Sequence, residues 1–167
     1  MDYKSLQLVA IKDIPKAEST PVDDLLALYK LGIYMEQICF DNNGIGLSAV
    51  QVGIPYDFFV ILNLRQNEYY LHCSYEGIGE KTSSIEGCLS IKDNHGNLVR
   101  YEVQRFKKIK VKGKKLIVSN DDPTLSIFEF EKEIDNLSSV VFQHEIDHQN
   151  GILISDIGKP IYLHGAV

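Results

Sequence analysis

The chain has 167 residues, 44% of them hydrophobic and 24% charged, and a net charge of −6. This predicts a single domain over residues 1–167 with one good core. It argues against a bilayer-spanning helix, since no run nears the roughly 18 apolar residues required, and against specific or general nucleic-acid binding, which needs a basic surface.

The N-terminal stretch MDYKSLQLVAIKDIPK lacks an apolar core and a small-residue cleavage site. No signal peptide is expected, and the setting is read as cytoplasmic. Residues 23–40 predict a first helix, because Leu25, Leu28, Leu31, Met35, Ile38 and Cys39 follow the three-and-four spacing of a buried face. Asp23 or Asp24 is suited to cap it, and Asp41-Asn42-Asn43-Gly44 to end it. A glycine-punctuated segment, Gly44 to Gly53, follows. FFVILN (58–63) and YYLHC (69–73) predict strands joined by a polar turn at Arg65-Gln66-Asn67.

Alternation at Val99, Tyr101 and Val103, then Ile109 and Val111, predicts two strands or one bent strand. The segment Arg105–Lys115 carries seven basic residues. It reads as a hairpin turning at Lys112-Gly113-Lys114, with lysines in water protecting an edge. A contact with RNA or a ribosome surface is the alternative reading. Asn120-Asp121-Asp122-Pro123 predicts a turn, SIFEFEKE (126–133) a strand, and residues 136–149 a last helix capped by Asp135 or Asn136 and ended by Asn150-Gly151. Two helices among strands without a βαβ rhythm give an α+β class. The odd count of cysteines, Cys39, Cys73 and Cys88, does not look like a disulfide framework.

The last helix carries His144-Glu145-Ile146-Asp147-His148. Residues four apart share one helical face, so two imidazoles so placed can hold one metal ion, and a neighbouring carboxylate can move protons for an activated water. A catalytic metal usually takes three protein ligands. Downstream, only Asp156 and His164 are available. Upstream, Cys88 follows Gly87 in Glu86-Gly87-Cys88-Leu89-Ser90 and is the better candidate for a Cys-His-His site suited to zinc or ferrous iron. Leu137, Val140 and Val141 share the helix's apolar side with the histidines and read either as core or as pocket. Asp147 in the last turn sits where the helix dipole disfavours a negative charge, which predicts a partner.

Three segments together resemble the peptide deformylases: GIGLSAVQ at 44–51, EGCLS at 86–90 and QHEIDH at 143–148. The resemblance covers about residues 6–157. It implies a peptide deformylase-like fold, with antiparallel or mixed β-sheets packed around a central metal-binding helix and a second helix N-terminal to it. It implies hydrolysis of the formyl group from formyl-methionyl peptides, releasing formate. It makes Cys88, His144 and His148 the metal ligands and Glu145 the acid/base, and gives Gln51 and the backbone N–H of Leu89 the oxyanion. The implied metal is ferrous iron, with zinc or nickel able to replace it. Gly44, Ile45 and Gly46 would border the substrate, with Leu137, Val140 and Val141 beside the methionine side chain. Glu86 and Arg100 stand at positions charged in the family and are expected to pair near the site. Another metallohydrolase with the same histidine motif, such as a small peptidase, is the alternative.

The chain also departs from the family. Ser48 stands where alanine is usual, adding a hydroxyl that needs a partner. Lys92 stands where proline is common after Ile91, which leaves the path beyond Ser90 open. His72-Cys73 replaces a common Asn-Pro and reads as a strand-end His and a buried Cys, with a spare metal site as the alternative. The short tail after His148 contains Gly158, Pro160 and Gly165. It lacks the long helix that some bacterial relatives dock on the ribosome, so ribosome association is left open. Compact members encoded by bacterial viruses share this feature, and the tail fits such an origin.

Overall fold

Asp24 starts the first helix by accepting a hydrogen bond from the Ala27 N–H at 2.9 Å, satisfying a donor that the helix itself leaves orphaned. In the computed structural model, which describes residues 3–119 and 124–161, this helix, α1, runs Leu25–Asp41. It ends where Asn43 takes a left-handed φ of 57°. The turn expected at Asn120–Pro123, and His164 and Gly165, lie outside the described residues.

The strands are β1 (Gly46–Ser48), β2 (Phe58–Ile61), β3 (Glu68–Lys92), β4 (Leu98–Val118), β5 (Leu125–Asp135) and β6 (Lys159–Ile161). They pair in the order β1-β2-β3-β4-β5, with β6 on the early part of β4, and every ladder is antiparallel. Helix α2 (Asn136–Gln149) follows β5 directly, and a one-turn helix, α3 (Ile154–Ile157), follows it. The α+β expectation holds.

Alternation along the short strands explains how two helices share one sheet. Phe58, Val60, Tyr69 and Leu71 pack with Leu28, Leu31 and Met35 of α1. Phe59 and Tyr70 point the other way, into a cluster with Ile109, Val111 and Phe142 and Ile146 of α2. These strands are buried on both faces, which is why they read as continuous apolar runs. Gln143 seats α2 on β4. The Phe106 N–H donates to its Oε1 at 3.0 Å, and its Nε2 donates to the Phe106 carbonyl at 2.8 Å.

Three expectations are overturned here. First, Lys112-Gly113-Lys114 is not a turn: it lies inside β4, paired with β5 through Lys112↔Glu131, Gly113↔Phe130 and Lys114↔Glu129. Second, Arg105–Lys115 is not a hairpin, since it lies within the single strand β4, and from Lys108 onward it is no edge, because β3 and β5 flank it there. Ile109 and Val111 do face inward. Lys108, Lys110 and Lys114 pair with Glu133, Glu131 and Glu129 across the strands. This ladder neutralises the stripe, although each exposed pair adds little stability. Third, His72-Cys73 is a bulge inside β3, not a strand end. The register with β4 shifts between Leu71 and Ser74 and again between Ile78 and Lys81. A left-handed residue sits at each shift, His72 at φ 52° and Gly79 at φ 73°. The bulge lets His72 Nε2 reach the Thr20 carbonyl at 3.1 Å.

Gly113 is present for space. A Cβ there would lie 2.4 Å from Cys73 Sγ and 3.0 Å from the Cys73 Cα. Gly113→Ala is expected to cost about 1–3 kcal/mol through overpacking, read as a lower denaturant midpoint. An unchanged midpoint would show that the Cys73 bulge yields freely.

Candidate metal centre and cleft

Helix α2 and the end of β3 bring the candidate ligands together. The Sγ of Cys88 and one ring nitrogen each of His144 and His148 lie within 4.8 Å of one another, and this is the one such group among the described residues. Cys88 Sγ is 3.4 Å from His148 Nε2, which is 3.1 Å from His144 Nε2. Ligands around a tetrahedral ion at usual bond lengths stand about 3.3–3.6 Å apart, so the donor set and its spacing fit a divalent metal. Asp156 does not join this group. It is exposed, and its carboxylate accepts from the Leu153 N–H at the start of α3.

Glu86 orients His144. His144 Nδ1 donates to Glu86 Oε2 at 2.9 Å, and since a carboxylate only accepts, Nε2 is left with its lone pair toward the site. Burial opposes charge on Glu86, but the His144 hydrogen bond and the Arg105 guanidinium outweigh it and hold the carboxyl at about 2. Burial holds His148 well below its ordinary value, and the nearby Arg105 guanidinium adds to this, so its ring stays neutral as a ligand must be.

Arg105 was missed at the sequence level and corrects the Arg100–Glu86 pairing expected there. Glu86 accepts from Arg105 Nε at 2.8 Å and Nη2 at 3.1 Å, while Nη1 of the same arginine pairs with Asp147. Arg105 is 2% exposed. Arg100 is instead exposed and borders the cleft beside Gly87. A signal was present: Arg105 shares the odd-numbered face of β4 with the buried Val103, Ile109 and Val111. The partner expected for Asp147 is therefore Arg105, joined by the Tyr75 hydroxyl at 3.2 Å.

Glu145 is buried beneath β1, and one of its oxygens has no protein partner. Burial pushes its carboxyl up to about 7, and the charge of Glu86 adds to the rise. A group that titrates near neutrality is suited to take and return a proton. Gly46 makes room for it, since a Cβ there would stand 2.7 Å from Glu145 Oε1. Gly44 is pressed similarly against Cys39 and Leu89.

Gln51 sits on a short 3-10 turn after β1 and is 2% exposed. Its Oε1 accepts the Ser48 N–H at 2.9 Å, which turns Nε2 toward Ser90 Oγ (3.0 Å) and Cys88 Sγ (3.5 Å). The hydroxyl of Ser48 finds no protein partner. Beside Cys88 the β3–β4 register skips from Gly87 to Lys92, so Leu89 lies outside the regular ladder. The path beyond Ser90 is a continuation of β3, with Ile91 buried against Val103 and Ile154.

One cleft of about 200 Å³ is bordered by Gly44, Ile45, Gly46, Gln51, Leu89, Leu137, Val140, Val141, His144 and Glu145, while Cys88 and His148 are buried and do not border it themselves. Leu137 is 63% and Ile45 51% exposed, so these two belong to the cleft wall and not to the core.

Residues 12–161 match the sequence model of the family described as polypeptide deformylase. The peptide deformylase of Buchnera aphidicola subsp. Schizaphis graminum is 36% identical over 132 residues, covering 77% of this chain and 71% of its own. The crystal structure of peptide deformylase from Thermotoga maritima superposes with a TM-score of 0.73 at 30% identity, over 93% of this chain and 98% of that one. A probable peptide deformylase from synechococcus phage S-SSM7 gives 0.73 at 29% identity, over 92% and 99%.

Proposed function

The chain belongs to the peptide deformylase family, and from that premise we propose that Cys88, His144 and His148 hold one divalent metal at which Glu145 and Gln51 carry out deformylation. The enzyme removes the formyl group from nascent peptides. What supports the assignment of residues is that three candidate ligand atoms converge, and that one of their residues, His144, borders the same cleft as Glu145, a buried carboxyl with one unpartnered oxygen, and the amide donor Gln51.

A divalent ion held by Cys88, His144 and His148 would supply Lewis acidity for activating water and polarising a carbonyl near neutral pH. Ferrous iron is the native ion in this reading, and zinc or nickel can replace it, because a thiolate with two imidazoles suits all three. Glu145 takes the proton from the attacking water and delivers it to the leaving amine as the C–N bond breaks, so that amide and water become formate and a free N-terminus. Gln51 Nε2 and the Leu89 N–H donate to the formyl oxygen as it gains negative charge. Ile45, Leu137, Val140 and Val141 hold the methionine side chain, and the peptide follows the Gly44–Gly46 segment. A newly made chain as substrate supports the reading of work in the cytoplasm of a bacterial cell. No described helix is long and apolar enough to cross a membrane.

The test is formate release from a formyl-methionyl tripeptide by protein loaded with iron or zinc. Formate should appear only with metal bound. A metal-loaded wild type that releases none would sink the assignment.

A further inference from the structure

We propose that Arg105 is a positioning residue for the metal centre, acting through Glu86 and Asp147 to hold the strand that carries Cys88 against the helix that carries both histidines. This rests on the reading of Cys88, His144 and His148 as the ligands.

The connectivity carries the inference. Glu86 lies two residues before Cys88 on β3, and Asp147 lies immediately before His148 on α2. Arg105 stands on β4 between them and bonds both. Its Nε and Nη2 grip the two oxygens of Glu86 at 2.8 and 3.1 Å, and its Nη1 pairs with Asp147. Glu86 Oε2 also accepts from His144 Nδ1 at 2.9 Å. One guanidinium thus fixes the carboxylate that sets the His144 ring and the segment next to His148.

All three side chains are nearly removed from water, at 2% exposed for Arg105, 7% for Glu86 and 6% for Asp147. In such surroundings a carboxylate without its cation is left as an uncompensated buried charge, and Glu86 is the carboxylate that orients the His144 ring. The flat five-donor fork of arginine satisfies two carboxylates in fixed directions. A lysine keeps the charge but is a single point with no fork.

Arg105→Lys therefore separates charge from geometry. The experiment measures Co²⁺ binding by competition with a chelating dye, together with the visible spectrum of the Co²⁺-loaded protein. Folded Arg105→Lys is expected to bind Co²⁺ roughly 10–100-fold more weakly, the range for partners that orient a ligand, and with an altered spectrum. Glu86→Gln should fall in the same range. If Arg105 acts through Glu86, the double variant should lose little more than either single one. Leu116→Ala, which weakens the core cluster packed with α1, shows what destabilisation alone does and should leave affinity unchanged.

Wild-type affinity and spectrum in folded Arg105→Lys, or losses that simply multiply in the double variant, would overturn the proposal. If Arg105→Lys does not fold, Glu86→Gln decides: a tenfold or greater loss supports the proposal and unchanged affinity overturns it. Cys88→Ala keeps the two readings apart. If it loses Co²⁺ while Arg105→Lys keeps it, only the positioning role fails. If the wild type binds none, the metal assignment itself fails.

Discussion

Glu145→Gln lowers formate release by roughly 10²–10⁴-fold, the span attributed to one well-placed acid/base, with metal content and fold unchanged. Glutamine has the same shape and fits the space that Gly46 leaves, but it cannot accept a proton. The loss should fall on kcat, because the carboxyl acts on the water and the leaving amine and not on the side chain that anchors the substrate. Stability should not suffer, because glutamine removes a carboxyl that burial holds at about 7 and that leaves one oxygen without a protein partner. The measurement is formate release by metal-loaded protein, with metal content and a denaturation curve on the same sample. A variant with more than a tenth of wild-type kcat would mean that another group moves the proton.

Cys88→Ala removes the metal. Three protein ligands are the usual minimum for a catalytic ion with an open position, and two imidazoles alone would leave the site short of both a ligand and its only thiolate charge. The loss of affinity should exceed the roughly 10–100-fold cost of removing a partner that merely orients a ligand. Activity should vanish at metal concentrations that saturate the wild type. Dialysis followed by metal analysis, with a formate assay at rising metal, checks this. The variant should remain folded, since Cys88 packs in a small cluster with Ile91, Val103 and Ile154 that loses only one sulfur. Full activity with bound metal in Cys88→Ala would move the third ligand elsewhere.

The histidine pair was legible because its two members lie on one helix, where a spacing of four fixes a shared face whatever the helix packs against. The extent of α1 and α2, the inward facing of Ile109 and Val111, and the glycines beside the cleft were legible for the same kind of local reason. The length of β3 and β4 was not, because bulges at His72 and Gly79 carry one strand past residues that look like breakers. Gly113 looked like a turn, since a glycine between two lysines signals flexibility, yet it is there because Cys73 fills its side-chain space.

The ion pairs show the boundary most clearly. The sequence alone placed two candidate metal ligands and a candidate proton carrier on one helix, and its three motifs pointed to deformylation. Only the tertiary structure decided which arginine serves the site. Arg100 is the nearer in sequence to Glu86 and Cys88, but it opens onto the cleft while Arg105 turns inward. That choice depends on which face of β4 meets α2, and on two carboxylates from different elements arriving at one guanidinium. Contacts between residues far apart in the chain follow from packing, and local spacing carries no record of them.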